Sequence, residues 1–339
     1  MVLSTILSQK TIKPSSPTPA SCRRHNLSFS DHMATPANAP MAVLYSKPAE
    51  NNVSQILENS LSKVLAFYYP FAGRLIVDNK CSYVDCNDIG AEYLNPLRLW
   101  WNAISVCISH KIVDAYSISK FLNDWAAVTQ DSDFKPSPQF EANSFFPLMD
   151  NPPLRVDFLR DQHQPCVSRM CHFSSSSLDR LKDIVSMNSG VQNPTRLEVA
   201  TAYIHKCGRE ASKANNSSLF KPSLTCRLMN LCPPLPLNTI GNEDEIQVPH
   251  FIAQLRKAKQ HLQDQLASRS PIEIKLEAAG KNILDMKYDF YLCSSLCHLG
   301  LYKADFGWDG INALITLTEE DMSIFQSNNE LLEYATLLV

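Results

Sequence analysis

One histidine and one aspartate stand at a spacing that could support acid–base chemistry. His110 and Asp114 form the pattern H-x-x-x-D, and His110 is the only one of nine histidines with an aspartate four residues later. A neutral imidazole can take a proton from an attacking hydroxyl or amine near neutral pH. A histidine held by local hydrogen bonds beside a helix-capping aspartate would show the same short pattern. The residues alone therefore leave a catalytic and a structural interpretation open.

The sequence changes its hydrophobic period at His110. Before it, apolar and polar residues alternate, which predicts a half-buried strand. Its apolar face would carry Ile104, Val106 and Ile108, and its opposite face Ser105, Cys107 and Ser109. From Ile112 to Trp125 apolar residues recur at helical spacing, and Asp114 is predicted in the first turn of that helix. The side chain at such a strand exit is held by regular structure on both sides, as a catalytic base requires.

Composition excludes several classes of function. The chain has 339 residues, 45% of them hydrophobic and 19% charged, which is typical of a globular protein of two domains. Its net charge of −3 argues against a nucleic-acid partner or an anionic membrane surface. No apolar run approaches the roughly 20 residues of a membrane span, and neither G-x-G-x-x-G nor a phosphate-binding P-loop occurs.

Eleven cysteines occur without a C-x-x-C pair. An odd number at these spacings favours reduced thiols in a cytoplasmic protein over a disulfide framework, and no metal site is predicted. Periodicity predicts further helices at residues 53–69, 176–186, 196–210, 250–267 and 272–279, and strands at residues 167–173 and 313–318. A last helix is predicted over residues 322–338, and a proline-rich crossover between the domains over residues 131–165.

Eight stretches, in the same order as in that family, resemble the plant BAHD acyltransferases and in particular their alkaloid and alcohol acetyltransferases. They are KPSSPTP, LSKVLAFYYPFAGRL, DCNDIG, ISHKIVDAYS, TRLEVATAYIHKC, PPLPLNTIGN, CSSLCHLGLYKADFGW and LTEEDM. The resemblance implies an α/β fold like that of chloramphenicol acetyltransferase, with two similar domains that each contain a mixed sheet and helices. Residues 1–150 would carry H-x-x-x-D, residues 151–165 the linker, and residues 166–339 the D-F-G-W motif.

The resemblance also implies an activity. The chain would transfer an acyl group, with acetyl the expected one, from acyl-CoA to a hydroxyl or less often an amine of a plant specialised metabolite. His110 would be the general base, and Ser294 would donate a hydrogen bond to the oxyanion. The structural residues near the site would be Asp114, Arg227, Asp305, Gly307 and Trp308, with Asp114 paired to Arg227. Acyl-CoA would be a co-substrate of a cytoplasmic monomer that holds no permanent cofactor.

Parts of the family pattern are absent. After Trp308 the usual Gly-Lys-Pro is replaced by Asp309, Gly310 and Ile311, and the following residues resemble a later family segment. Similar losses are indicated at residues 97–102 and, to a smaller extent, beside His250 and Gly280. The chain therefore resembles a family member from which internal segments are missing. Missing strands leave unpaired edges and a less covered core, so the sequence predicts a cost to folding.

Two alternatives remain open. A truncated family member could fold in part and bind CoA esters or a partner without turnover. A hydrolase could instead use Cys107 as nucleophile and His110 as base, although the sequence places no activating group beside Cys107.

Overall fold

The computed structural model describes residues 6–34, 38–45, 53–77, 82–96, 102–148, 165–189, 191–215, 224–225, 236–237, 248–280 and 311–338. These residues fall into two compact units. The first contains residues 6–148, and the second contains the described residues from 165 to 338. Among the described residues, no helix is both long and apolar enough to cross a membrane.

The first unit contains antiparallel strand pairs and amphipathic helices. Its strands are β1 (Ile6–Ile12), β2 (Arg24–Asn26), β3 (Asn38–Tyr45), β4 (Arg74–Ile76), β5 (Tyr83–Asp85), β6 (Ala91–Pro96) and β7 (Asn102–Ser109). Its helices are α1 (Phe29–His32), α2 (Val53–Phe67), α3 (Ala115–Gln130) and α4 (Ala142–Phe145), with short 3-10 turns at Ala20–Cys22 and Tyr69–Ala72. β1 pairs with β6, β3 pairs with β7, and β5 lies between β2 and β4.

Helices α2 and α3 pack together in the core of the first unit. Buried apolar side chains of both helices contact the face of β7 that the sequence predicts to point inward. These helical side chains are Leu61, Val64, Leu65, Ile118, Phe121, Leu122, Trp125 and Val128. Two side-chain hydrogen bonds join the helices inside this core. Tyr68 Oη donates to Asp124 Oδ2 at 2.6 Å, and Trp125 Nε1 donates to Ser60 Oγ at 2.9 Å. These hydrogen bonds pair four polar side chains inside the core, as stability requires.

The turn that leads into β6 requires a glycine. Asp88 has a φ of 58° and Gly90 a φ of 102°. A Cβ atom at Gly90 would lie 2.5 Å from the carbonyl oxygen of Ile12. The backbone N–H and the hydroxyl of Thr18 both donate to the Asp88 carboxylate, at 3.1 and 2.6 Å. This turn therefore holds the N-terminal segment against β6 through contacts that a larger residue at position 90 would break.

The second unit is a sheet covered by helices. Its elements are β8 (Cys166–Phe173), α5 (Ser175–Ser189), α6 (Arg196–Ala214), β9 (Leu224–Thr225), β10 (Pro236–Leu237), α7 (Val248–Ser268), α8 (Pro271–Gly280), β11 (Ile311–Thr318), α9 (Glu319–Phe325), α10 (Asn329–Tyr334) and β12 (Thr336–Leu338). β8 lies between β11 and β12 and runs antiparallel to both, while β9 pairs with β10. Helix α6 packs against α5, α7 and α9 in the core of this unit.

An ion pair fixes the start of α6. Thr195 and Glu198 form a reciprocal capping box, in which the backbone N–H of Thr195 donates to Glu198. Arg256 of α7 donates two further hydrogen bonds to the Glu198 carboxylate, at 2.8 and 2.9 Å. Burial alone would raise the pKa of Glu198, but these hydrogen bonds outweigh it and lower that pKa below its usual value. The Glu198–Arg256 ion pair thus joins the first turn of α6 to α7.

The buried His205 of α6 should make the stability of the second unit depend on pH. Burial, with a smaller effect of the Arg209 guanidinium, lowers the pKa of its imidazole to about 3. Below the ordinary value of 6.5 the unfolded chain therefore binds the proton and the folded chain does not. We expect the free energy of unfolding to fall as the pH drops below 6.5, with up to about 1.4 kcal/mol per pH unit from this group.

Urea unfolding across the range from about pH 7 to about pH 4 checks this expectation. His205→Phe, which keeps a ring beside Phe251 but removes the titrating group, should flatten the slope. The exposed His250 provides a matched control, since His250→Phe should leave the slope unchanged. Equal slopes for His205→Phe and the parent chain would contradict the assignment.

Two expectations about local structure need correction. The helix predicted over residues 322–338 is wrong, because α9 ends at Phe325 and a separate helix starts at Asn329. The Asn328 side chain accepts a hydrogen bond from the Leu331 N–H at 3.0 Å and so begins the second helix, and the chain then pairs with β8 as β12. Part of the predicted crossover also packs on the first unit: Phe146 O accepts a hydrogen bond from Phe29 N at 3.0 Å.

Candidate active site

His110 lies directly after the last residue of β7, where the sequence predicts it. β7 ends at Ser109, and the carbonyl oxygen of Ser109 accepts from the backbone N–H groups of Ile112 and Val113, at 2.8 and 3.2 Å. Val113 is buried in the core, and α3 begins two residues later at Ala115. The alternation predicted for β7 is present, since its apolar side chains pack on the core and Cys107 is exposed. The imidazole is therefore attached to a rigid turn between two regular elements.

Asp114 is a helix cap in this structure. Its side chain accepts a hydrogen bond from the backbone N–H of Ser117 at 2.8 Å, and the residue is exposed. The sequence places Asp114 in the first turn, whereas it is the N-cap residue that precedes it. Its carboxylate thus serves the start of α3, and the arrangement differs from a triad in which an aspartate orients the imidazole.

The Nδ1 atom of His110 is buried and has no hydrogen-bond partner among the described residues. A general base uses the lone pair of one ring nitrogen while the other nitrogen carries the proton. With Nδ1 turned inward, the geometry favours Nε2 as the atom that would meet a substrate. A buried polar atom without a partner is uncommon in folded proteins, and a catalytic role is one of its recognised explanations.

Lys111, which the sequence analysis missed, is the most buried charged residue near His110. It is 7% exposed, and its ammonium donates a hydrogen bond to the backbone carbonyl oxygen of His32 at 2.8 Å. Burial, and then the charge of Lys111, lowers the pKa of the His32 imidazole, partly opposed by Asp31. No local signal in the sequence could have found this contact, because the two residues are 79 positions apart.

Five other predicted site residues lie outside the described part of the chain. They are Arg227, Ser294, Asp305, Gly307 and Trp308. The predicted pairing of Asp114 with Arg227 and the oxyanion role of Ser294 therefore stay predictions. Within the described ranges, no cluster of three or more histidine, cysteine, aspartate or glutamate side chains could hold a metal ion.

An open cleft of about 370 Å³ lies beside β1 and α2, but none of the predicted site residues lines it. Its walls are polar and include Lys13, Gln55, Glu58 and Asn59. The predicted site residues that the structure describes, His110 and Asp114, thus lie apart from this cleft, and the catalytic role of His110 stays a prediction.

Replacement of Asp114 should show whether its capping hydrogen bond or its charge supports the start of α3. Asp114→Ala removes the acceptor for the Ser117 N–H, so we expect the free energy of unfolding to fall by about 0.5–2 kcal/mol. Asp114→Asn keeps an oxygen acceptor and should cost only a small part of that amount. Chemical denaturation of both variants measures the difference. Equal losses for alanine and asparagine would mean that the charge of Asp114, rather than its capping hydrogen bond, supports the structure.

Comparison with known proteins assigns the family. The sequence model of the Transferase family matches residues 3–95 and 102–310. An acylsugar acyltransferase 3 from Solanum lycopersicum is 43% identical, with 100% of this chain and 99% of the relative covered. Akuammiline synthase 1 from Alstonia scholaris is 34% identical, with coverage of 98% and 97%. The chain belongs to the BAHD acyltransferase family. It is accordingly an acyltransferase.

The fold of this BAHD chain agrees with solved structures. The crystal structure of vinorine synthase matches with a TM-score of 0.73 at 23% identity and covers 98% of each chain. The crystal structure of F. sporotrichioides TRI101 complexed with coenzyme A and T-2 matches with a TM-score of 0.64 at 13% identity, and the match covers 93% of this chain and 99% of TRI101. These likenesses confirm the predicted α/β fold class.

The comparisons also agree with the predicted internal losses. The family match is interrupted at residues 96–101, which overlap the junction at residues 97–102 where the sequence predicts a missing segment. The alignment to the tomato relative runs over 429 positions, whereas this chain has 339 residues. Because the alignment reaches both ends of the two proteins, a large share of the relative's internal positions has no counterpart in this BAHD chain.

Proposed function

We propose that this chain transfers an acyl group, with acetyl as the expected one, from acyl-CoA to a hydroxyl group of a plant specialised metabolite. The observation that carries the proposal is His110 at the exit of β7, within an H-x-x-x-D motif of a chain that belongs to an acyltransferase family. The relatives' names supply the acceptor classes to test first: acylsugars and alkaloids.

In the proposed mechanism His110 is the general base. Its neutral imidazole takes the proton of the acceptor hydroxyl as the oxygen attacks the thioester carbonyl carbon. The carbon–sulfur bond of the resulting tetrahedral intermediate then breaks, and the imidazolium returns the proton to the departing CoA thiolate. Simultaneous binding of both substrates supplies the proximity, so no covalent acyl-enzyme is required. Ser294 is proposed to donate a hydrogen bond to the oxyanion.

Other parts of the proposal follow from the resemblance. Residues 1–150 and 166–339 would form two acyltransferase domains joined by residues 151–165. Asp114, Arg227, Asp305, Gly307 and Trp308 would keep the site in shape rather than touch the substrates. Acyl-CoA would be a co-substrate, and no permanent cofactor or metal is needed. Monomeric state and cytoplasmic location are part of the same proposal.

Incubation of the purified chain with acetyl-CoA and candidate acceptors tests this function. Because eleven cysteines would react with thiol reagents, free CoA and acylated product should be measured by chromatography and mass spectrometry. We expect CoA release that depends on the acceptor and equals the product formed. Parallel reactions should use acylsucroses and alkaloid alcohols, with acetyl-CoA alone as the control for hydrolysis.

The alternative of an inactive, truncated family member predicts a different result. Acetyl-CoA would bind, as measured by calorimetry, but no acceptor would release CoA. A Cys–His hydrolase would release CoA without an acceptor and would lose this activity in Cys107→Ala. Cys107 is an exposed, free cysteine on the strand face opposite the core, and exposure alone does not activate a thiol.

A further inference from the structure

We propose that Lys111 is a positioning residue for the general base, because it ties the turn that carries His110 to helix α1. The inference rests on the proposed function and adds to it a residue that acts through His110. It follows from one long-range hydrogen bond, from Lys111 Nζ to His32 O at 2.8 Å, and from the rigidity of the two segments that this bond joins.

Helix α1 is a fixed anchor although it is short. Ser28 and Asp31 form a reciprocal capping box, with both the backbone N–H and the hydroxyl of Ser28 2.8 Å from the Asp31 carboxylate. Phe29 is fully buried, and its backbone N–H donates to Phe146 O. Close to α1 in sequence, the Asn26 carbonyl oxygen accepts a hydrogen bond from Asn143 Nδ2 at 2.8 Å. The carbonyl of His32 at the end of α1 therefore has a defined position.

The turn that carries His110 has several supports apart from the Lys111 ammonium. The end of β7 holds it through the Ser109 carbonyl, and the Asp114 cap holds the start of α3. The turn also has long-range support, because Ser109 pairs with Asn38 of β3 and Val113 is buried in the core. Lys111 adds a link in another direction, to the end of α1, 79 positions earlier in the chain. This hydrogen bond starts from the residue next to His110, so it constrains the Cα–Cβ direction of His110 more directly than the pairing of β7 does.

The burial of Lys111 is itself an argument for such a role. Lysine is rarely buried, because removal of an ammonium from water costs several kcal/mol unless it is paired. An apolar side chain of similar length could fill the same space without that cost. The directional hydrogen bond is what lysine supplies and an apolar residue does not. A displacement of a catalytic group by about 1 Å is enough to lower a rate about 100-fold.

The experiment compares Lys111→Met, Lys111→Arg and a control in the second unit. Methionine keeps the length of the side chain without the hydrogen bond, and arginine keeps a charged donor. Lys206→Met is the control, because Lys206 is a second mostly buried lysine, with its side chain 15% exposed, and its ammonium pairs with Glu330. We expect Lys111→Met to lower kcat for acetyl transfer by about 10–100-fold with little change in the KM of acetyl-CoA. Lys111→Arg should recover much of the loss, and Lys206→Met should keep the parent kcat.

A second measurement reports on the imidazole without turnover. Carbethoxylation of His110 by diethyl pyrocarbonate, followed by peptide mass spectrometry, should be several-fold faster in Lys111→Met than in the parent chain or in Lys206→Met. Thermal unfolding of each variant shows whether it is folded. A merely structural lysine would lower the melting temperature in both methionine variants without a specific change at His110.

The outcomes separate this inference from the proposed function. An unchanged kcat and an unchanged modification rate of His110 in a folded Lys111→Met would overturn the positioning role. A parent chain without acceptor-dependent turnover would overturn the proposed function, and the modification rate would still decide whether Lys111 holds His110. A loss of kcat that arginine does not recover would indicate that Lys111 acts in some way other than by this hydrogen bond, and would also overturn the role.

Discussion

Replacement of His110 by alanine is expected to lower kcat for acyl transfer by roughly 10²–10⁴-fold. The expectation follows from its place: the imidazole stands on a turn fixed by β7 and α3, and its Nδ1 is turned into the protein. Removal of the base leaves proximity of the substrates as the remaining source of catalysis. Steady-state kinetics with saturating acetyl-CoA measures the change.

Two further variants sharpen this test. His110→Gln retains polar atoms and similar volume without a basic nitrogen, so we expect it to be nearly as inactive as alanine. His250→Ala removes an exposed histidine of α7 and should keep the parent activity. If His110→Ala were folded and turned over within a few-fold of the parent, the general-base assignment would be refuted. A chain without any turnover would instead favour the inactive family member.

Replacement of Phe173 by alanine is expected to lower the free energy of unfolding by about 3–5 kcal/mol. Phe173 is fully buried at the end of β8, opposite Ile311 of β11, and belongs to the core that α5 and α6 cover. The substitution leaves a cavity and removes apolar contacts, which the surrounding side chains can restore only in part. Because domains are stable by only about 5–15 kcal/mol, a loss of this size could unfold the second unit.

Urea denaturation followed by circular dichroism provides the measurement. Met187 of α5 is 83% exposed, so Met187→Ala should change the free energy of unfolding by less than about 0.5 kcal/mol. The difference between Phe173→Ala and Met187→Ala also tests whether the second unit keeps a packed core although internal segments of the family pattern are missing. Equal effects of the two substitutions would show that the second unit lacks a packed core around Phe173, and the activity proposed for the chain would then have no folded scaffold.

The neighbourhood of His110 was predictable because its signals are local. Alternation up to Ser109 and helical spacing from Ile112 place β7 and α3 on either side of His110. Aspartate favours helix starts, so the capping role of Asp114 was also within reach of the sequence, although the prediction placed it inside the first turn and not at the N-cap just before it. Helices α2, α5, α6, α7 and α8 were predicted from the same kind of evidence, with ends that differ by a few residues.

Other elements were not predictable in this way. β6 directly follows a turn and pairs with β1, with partners 79 to 90 positions apart, so its register depends on a distant segment. The C-terminal helix was predicted too long, because apolar residues near the end satisfy a helical pattern although β8 offers a pairing edge there. In both cases the partner strand decides the conformation, and a local period does not contain that information.

The sequence by itself determined the family, the pattern H-x-x-x-D and the strand exit on which His110 stands, because motif order and hydrophobic periodicity are properties of neighbouring residues. Only the tertiary structure decided that Lys111 is buried against the carbonyl of His32, and that His205 is enclosed and neutral. Burial and long-range hydrogen bonds arise when segments far apart in the chain pack together. Their energies depend on that packing, and so they cannot be obtained from any one stretch of sequence.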